Sequence, residues 1–142
     1  MEKYEIRKWK DPILREVCTP VENFFELGDI VESMQKIVGE HAALGLAAPQ
    51  IGDSRQIVVA RVNKNIEVFI NPIIKHSGGY IPFIEGCLSF PGKIIPTIRR
   101  YSINLEYQNR DGVKINRDYK GINAVILQHE IDHLSGKLII SL

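Results

Sequence analysis

The segment GINAVILQHEIDHLSG, from Gly121 to Gly136, decides the fold. It predicts a helix that begins after Gly121 and ends at Gly136, because glycine is typical of the position just beyond a helix end. The run is apolar on most of its first half, which indicates a helix buried inside the protein. The remaining elements should therefore pack around this helix.

Two histidines on the predicted helix give it a possible chemical role. An α-helix turns once in about 3.6 residues, so His129 and His133 project from the same face, which suits two imidazoles binding one metal ion. Val125 and Ile126 precede His129 by four and three residues and would give the ion an apolar surface. Glu130 is rotated away but can reach a water at the rim of such a site. The pattern also fits an ordinary buried helix that carries two histidines, and the motif alone leaves both interpretations open.

Upstream of this helix, the hydrophobic pattern predicts one amphipathic helix and several strands. The predicted elements, in chain order, are a helix (27–41), an irregular loop (45–54), two β-branched strands (55–62 and 66–72), an alternating strand (102–107), a turn (109–112) and a return strand (113–119). In the alternating strand, Ile103, Leu105 and Tyr107 share one face. This order predicts an α+β fold with antiparallel strands packed around a central C-terminal helix.

Length and composition favour one ordinary globular domain over residues 1–142. Hydrophobic residues make up 44% and charged residues 25%, and the net charge of +1 gives no electrostatic argument for nucleic acid or an anionic membrane. The apolar stretches are too short to span a bilayer, and the charged N-terminus has no signal-peptide region. We therefore expect a cytoplasmic protein. Two cysteines do not make a disulfide framework, and a packing role is expected for Cys18.

The third ligand of a metal site on this helix must come from upstream. In metalloproteases with the extended motif, a glycine and a third histidine follow, but Ile139 stands at the histidine position and no Glu, Asp, His or Cys follows His133. The best upstream candidate is Cys87 in EGCLSFPG (85–92), where a turn-rich loop follows the cysteine. A thiolate is a good ligand for a divalent transition metal. Taken alone, Cys87 also fits an inert buried cysteine, an alternative that weakens beside the two-histidine helix.

A loop of small residues, ALGLAAPQIG (43–52), is the third candidate element. Gly45 could expose its own N–H and C=O groups to another backbone, because it lacks a side chain. Gln50 lies at the end of the loop, where an amide could donate to a developing oxyanion. By itself, the segment also fits a tight loop that packs under the helix.

Together and in this order, the three segments resemble the peptide deformylase family. That family is marked by a GxGxAAxQ loop, an EGCLS segment and an HExDH helix, which stand here as ALGLAAPQ, EGCLS and HEIDH. The resemblance runs from KDPILREVCTPVE (10–22) to the last residue. It implies a metal-dependent hydrolase that removes the N-formyl group from the initiator N-formylmethionine of newly made peptides and releases formate.

The resemblance also implies roles for individual residues. The metal ligands would be Cys87, His129 and His133, with a water in the fourth position. Glu130 would be the general base, and Gln50 with the backbone N–H of Leu88 would stabilise the oxyanion. The substrate-binding residues would be Leu44, Gly45, Leu46, Glu85, Gly86, Val125 and Ile126, of which Leu44, Val125 and Ile126 would form the methionine pocket. The cofactor would be one divalent ion, with Fe²⁺ expected and Zn²⁺, Ni²⁺ or Co²⁺ able to substitute.

Two departures from the family pattern bear on these expectations. Ala43 replaces the first glycine of the loop motif, which adds a methyl group near the substrate and would be strained at a positive φ. The chain ends at GKLIISL (136–142), whereas many bacterial members continue into a helix associated with ribosome docking. That contact is therefore not carried over, and the short form is similar to virus-encoded members. We expect a monomer that acts on formyl-Met peptides in the bacterial or host cytoplasm, without membrane or direct nucleic-acid binding.

Asp132, the remaining polar residue of HEIDH, is predicted to form a structural ion pair with Arg99 or Arg100. Two other functions compete with the deformylase. An inactive relative could serve as a peptide-binding metal module, although it would have no need for the base Glu130. A general metalloprotease would need the downstream ligand that the sequence lacks.

Overall fold

The computed structural model describes residues 4–138. The final part of the segment GKLIISL (136–142), beyond Leu138, lies outside the described residues. Two α-helices, seven strands and three short 3₁₀ helices make up the described residues. The α-helices are α1 (Ile30–Glu40) and α2 (Ile122–Leu134). The strands are β1 (Gly45–Ala47), β2 (Ile57–Val62), β3 (Asn65–Gly78), β4 (Ile81–Cys87), β5 (Phe90–Arg99), β6 (Ser102–Gln108) and β7 (Lys114–Lys120). The 3₁₀ helices are Pro12–Arg15, Phe24–Glu26 and Ala48–Ile51.

The strands form two antiparallel sheets. The larger has five strands in the order β1-β2-β3-β6-β7, and the smaller is the β4–β5 hairpin. Strands, hairpin and helices therefore follow the predicted α+β class, with α2 carrying the two-histidine motif. Within residues 4–138, no helix has both the length and the apolar character that crossing a membrane requires.

The five-stranded sheet separates two apolar clusters, because successive side chains of a strand point to opposite faces. In β2, Val58 and Ala60 belong to the cluster that contains α2, whereas Ile57 and Val59 belong to the cluster that contains α1. The helix α2 is thus buried against one face of the sheet. Cys18 lies in the α2 cluster, where burial, followed by Asp53 and Glu16, raises its pKa to about 12. Its predicted packing role is confirmed.

Most predicted elements occur, with shifted ends. The helix predicted over residues 27–41 begins at Ile30, because Gly28 has φ +64°, outside the helical region. The alternating strand is confirmed, since Ile103, Leu105 and Tyr107 are all buried. The turn at 109–112 is closed by a hydrogen bond from the Gly112 N–H to the Asn109 carbonyl at 2.9 Å.

The prediction of an irregular loop over residues 45–54 is wrong. Gly45–Ala47 forms strand β1, which pairs with β2, and Ala48–Ile51 forms a 3₁₀ helix. The loop expected to follow Cys87 is also shorter than predicted. Cys87 is the last residue of β4, and a tight turn at Leu88 and Ser89 leads directly into β5.

The predicted end of α2 is confirmed in detail. Gly136 has φ +76°, and its N–H donates to the His133 carbonyl at 3.1 Å. The Lys137 N–H donates to the Asp132 carbonyl at 2.9 Å, which completes a Schellman motif. A Cβ atom at Gly136 would also collide with the carbonyl oxygen of Arg15. Conformation and close approach both require glycine here.

Candidate active site

The two sheets and α2 meet around three potential metal ligands. The Cys87 Sγ lies 3.5 Å from the His133 Nε2, and one ligand atom from each of Cys87, His129 and His133 lies within 4.8 Å of the others. Both histidines are buried, and their rings lie 5.2 Å apart between centroids. The three side chains that the sequence analysis singled out as ligands therefore lie together, although no strand was predicted at Cys87.

The chemistry of this group fits a divalent transition metal. Two imidazoles and one thiolate form a ligand set typical of such ions and leave further positions for water or substrate. Two buried atoms beside the group, the Glu130 Oε1 and the His133 Nδ1, have no hydrogen-bond partner among the described residues. Burial, together with the nearby His129, lowers the pKa of His133, which favours the neutral imidazole that can offer a lone pair. In the metal-free protein, burial lowers the pKa of His129, but Glu130, Cys87 and Glu85 outweigh it and raise that pKa to about 10.

A buried carboxylate orients one of the histidines. The Glu85 Oε1 lies 2.7 Å from the His129 Nδ1, which leaves the Nε2 of that ring free to face the cluster. Burial favours the neutral form of Glu85, but hydrogen bonds from Arg99, His129 and Thr97 lower its pKa to about 2. Glu85 was predicted to bind substrate, and it does line the cavity described below. The orienting contact was missed, although Glu85 and Cys87 share one face of β4 by strand alternation.

An arginine links this carboxylate to the end of α2. Arg99 donates to both Glu85 oxygens at 2.6 Å and to the Asp132 Oδ2 at 2.5 Å. The predicted ion pair of Asp132 is therefore confirmed, with Arg99 as the partner. Arg100 instead points its guanidinium toward Ser77 and the ring of Tyr80.

The side-chain amide of Gln50 also contacts this cluster. Its Nε2 lies 3.2 Å from the Cys87 Sγ and 3.3 Å from the Ser89 Oγ. Its Oε1 accepts a hydrogen bond from the Ala47 N–H at 2.9 Å, which fixes the orientation of the amide. The amide of Leu88 follows Cys87 in the tight turn. The structure thus places both predicted oxyanion donors next to the cysteine.

Glu130 lies beside the cluster in an enclosed position. Glu130 is 3% exposed, and its Oε1 lies 4.0 Å from the His133 Nε2. Burial raises its pKa to about 7, despite the opposing effect of His129. A carboxyl group that titrates near neutral pH can both accept and return a proton. Gly45 packs against it so closely that a Cβ atom there would lie 2.5 Å from the Glu130 Oε2.

A cavity of about 500 Å³ opens beside these groups. Its walls come from the segment before and at the start of β1, from the β4–β5 hairpin and from α2. The lining residues are Ala43, Leu44, Gly45, Phe83, Ile84, Glu85, Gly86, Cys87, Leu88, Phe90, Gly92, Lys93, Ile94, Val125, Ile126, His129 and Glu130. All predicted substrate-binding residues except Leu46 line it. The Leu46 side chain is buried in the α1 cluster instead.

The condition under which Ala43 would be strained, a positive φ, is not met. Ala43 lines the cavity, so its methyl group does lie near the region expected to receive substrate. The residue with positive φ is its neighbour Ala42, at 50°. Ala43 is not among the residues with positive φ, so its methyl group meets no strain of that kind.

Comparison with known proteins gives a consistent result. The chain matches the polypeptide deformylase family over residues 3–142. It is 42% identical over 142 residues to a peptide deformylase of Dictyoglomus thermophilum, covering 96% of this chain and 90% of that protein. Its structure resembles that of peptide deformylase from Thermotoga maritima with a TM-score of 0.94 at 37% identity, covering 99% of this chain and 97% of that one. A probable peptide deformylase from Synechococcus phage S-SSM7 matches with a TM-score of 0.90 at 31% identity, covering 97% and 98%. The predicted likeness to virus-encoded proteins is confirmed.

Proposed function

The chain belongs to the polypeptide deformylase family, and we propose that it removes the N-formyl group from N-formylmethionyl peptides and releases formate. The observation that carries this proposal is the meeting of Glu130 and Gln50 around Cys87, His129 and His133, with Cys87, His129 and Glu130 lining one cavity. A ligand cluster, a base and an amide donor are the parts that hydrolysis of a stable amide requires.

The three ligands would hold one divalent ion, and Fe²⁺ is the ion we expect from the family. When bound, such an ion supplies the Lewis acidity that activates water and polarises the formyl carbonyl. The Glu85–His129 contact supports a metal-binding role for His129. The ring of a metal-binding histidine is commonly fixed by a carboxylate that contacts its other nitrogen, as Glu85 does here. Zn²⁺, Ni²⁺ and Co²⁺ are suited to the same ligands.

Glu130 is the proposed general base. It would take a proton from the attacking water and pass it to the nitrogen of the departing amine, and burial, which raises its pKa, favours holding that proton between the two steps. Gln50 Nε2 and the Leu88 N–H would donate to the oxygen of the formyl group as negative charge develops there. One such donor typically contributes about 2.7–4 kcal/mol to transition-state stabilisation.

The cavity provides a place for the peptide itself. Leu44, Val125 and Ile126 lie in its wall and would receive the methionine side chain. The main-chain groups of Gly45 and Gly86 would hold the peptide in an extended conformation. We propose a monomeric enzyme that works in the cytoplasm, where newly made peptides appear.

Formate release tests the proposal directly. The protein is prepared without oxygen and loaded with Fe²⁺, Ni²⁺ or Zn²⁺, and formate is measured with a formyl-Met tripeptide. Replacing Glu130 by Gln should lower kcat by about 100-fold or more, since general acid–base catalysis contributes about 10²–10⁴-fold. Metal content per chain, measured in both proteins, shows whether the variant keeps the ion.

The other outcomes separate the competing functions. If no metal supports formate release, the enzymatic proposal is wrong and the binding-module alternative gains support. Cleavage of internal peptide bonds would instead indicate a protease.

A further inference from the structure

The outer face of the β4–β5 hairpin is apolar. Side chains alternate along a strand, and Glu85 and Cys87 face α2, so Ile84 and Gly86 face the other way. Residues paired across an antiparallel sheet share a face, which places Ile94, the partner of Gly86, on the same outer surface. Ile84 is 66% exposed and Ile94 is 74% exposed. Large apolar side chains are therefore presented to solvent at this position.

Part of this face belongs to the cavity. Ile84, Gly86 and Ile94, here called the apolar shelf, all line it. A Cβ atom at Gly86 would lie 3.8 Å from the Ile94 Cγ2, so the missing side chain of Gly86 leaves an open position beside that isoleucine. Ile98 lies farther along the same face and is 75% exposed, but it does not line the cavity.

The pleat determines which substrate residue would reach the shelf. Among residues 4–138, β4 pairs only with β5, and β1 pairs only with β2, so each of β1 and β4 has one edge without a partner strand. Their other edges border the cavity, where an extended peptide would lie. If the methionine side chain points toward Val125 and Ile126 on α2, the next side chain must point to the opposite face, because successive residues alternate.

We infer that the second residue of the formylated peptide lies over Gly86, between Ile84 and Ile94, and that this protein therefore prefers an apolar residue at that position. The inference rests on the proposed deformylase function and deepens it. Lys93 also lines the cavity, and its ammonium group would favour an acidic second residue. This is the alternative that the experiment must exclude.

Three tripeptides that differ only in their second residue test the inference. With the metal-loaded protein, we expect kcat/KM for formyl-Met-Leu-Ser to exceed that for formyl-Met-Ala-Ser by about three- to tenfold, as partial burial of a leucine side chain would give. Formyl-Met-Asp-Ser should be poorer than the alanine peptide. The difference should lie mainly in KM, because the shelf touches no reacting atom.

Two variants assign the preference to the shelf. The double substitution Ile84→Thr with Ile94→Thr keeps β-branched side chains but removes apolar surface, and should bring the leucine-to-alanine ratio close to one. The matched control Ile98→Thr makes the same change on the same face outside the cavity and should keep the wild-type ratio.

The outcomes distinguish this inference from the function on which it rests. Release of formate at equal kcat/KM from all three peptides would contradict the inferred preference for an apolar second residue, but would still support the deformylase function. A preference for aspartate would also contradict the inferred preference and point to Lys93. Absence of formate from every peptide would instead overturn the proposed function itself.

Discussion

At the scale of single residues, Gly45 packs closely against Glu130 in the candidate site. A Cβ atom at Gly45 would lie 2.5 Å from the Glu130 Oε2 and 2.8 Å from its Cγ. The obstructed atoms belong to a side chain and not to the backbone, so a methyl group there would displace the carboxylate more readily than the fold. The glycine therefore leaves room for the proposed base.

Gly45→Ala should lower kcat while leaving thermal stability nearly unchanged. A displacement of about 1 Å at a reacting group can reduce the rate by about 100-fold, and we expect a loss of about 10- to 100-fold here. Formate release and thermal unfolding measure the two effects. The matched control is Gly39→Ala in α1, where the added Cβ would make an ordinary 3.8 Å contact with Ile66 and should leave kcat unchanged. A Gly45→Ala enzyme with full kcat would contradict the positioning role.

The sequence predicted the identities of the site residues better than their contacts. The three ligands and Gln50 were found from short motifs, because one helical turn and a few fixed residues carry that information. The contact between Gly45 and Glu130 was not predicted, since it joins β1 to α2 and depends on how closely these elements pack. The contact between Glu85 and His129 was missed for the same reason.

At the scale of elements, the β4–β5 hairpin is the part of the fold that sequence patterns failed to predict. It contains Pro82, Pro91 and Pro96, and proline within an apolar run argues against a central strand. A two-stranded sheet tolerates proline because each strand has an edge without a ladder partner in that sheet. Its outer face is apolar too, so the usual alternation of apolar and polar residues is absent. By contrast, β6 has one buried face and was predicted correctly.

The hairpin is joined to α2 by the buried Arg99. Arg99→Ala would leave Glu85 buried without its main cationic partner, and loss of one member of a buried ion pair costs about 3–5 kcal/mol. We expect the free energy of unfolding of the metal-free protein to fall by that amount, measured with denaturant. Metal affinity should fall by about 10- to 100-fold, because Glu85 orients His129.

Arg100→Ala is the matched control for this prediction. Its guanidinium makes exposed contacts with Ser77 and Tyr80, so the free energy of unfolding should change by less than about 1 kcal/mol. A double-mutant cycle between Arg99→Ala and Asp132→Asn should show coupling. If both arginine substitutions lowered the free energy of unfolding equally, the ion pairs of Arg99 with Glu85 and Asp132 would not be what holds the hairpin on α2.

At the scale of the whole molecule, the site joins parts that share no strand pairing within residues 4–138. Cys87 comes from the two-stranded sheet, the histidines come from α2, and Gln50 comes from the 3₁₀ helix that follows β1 of the larger sheet. An ion held by Cys87, His129 and His133 would therefore cross-link the hairpin to the main body. A ligand that binds the folded chain in preference to the unfolded chain stabilises it in proportion to RT ln(1 + [L]/Kd).

Loading the protein with metal should therefore raise Tm. At a free ion concentration of about 100 Kd, the stabilisation is about 2.7 kcal/mol, which corresponds to roughly 5–10 °C for a chain of this size. Differential scanning calorimetry with and without a chelator measures the shift. Cys87→Ala should remove most of it, whereas His76→Ala, at an exposed histidine outside the cluster, should retain it. If Cys87→Ala kept the full rise in Tm, the ion would have to bind at another place. The stabilisation could then not come from an ion that links the β4–β5 hairpin to α2.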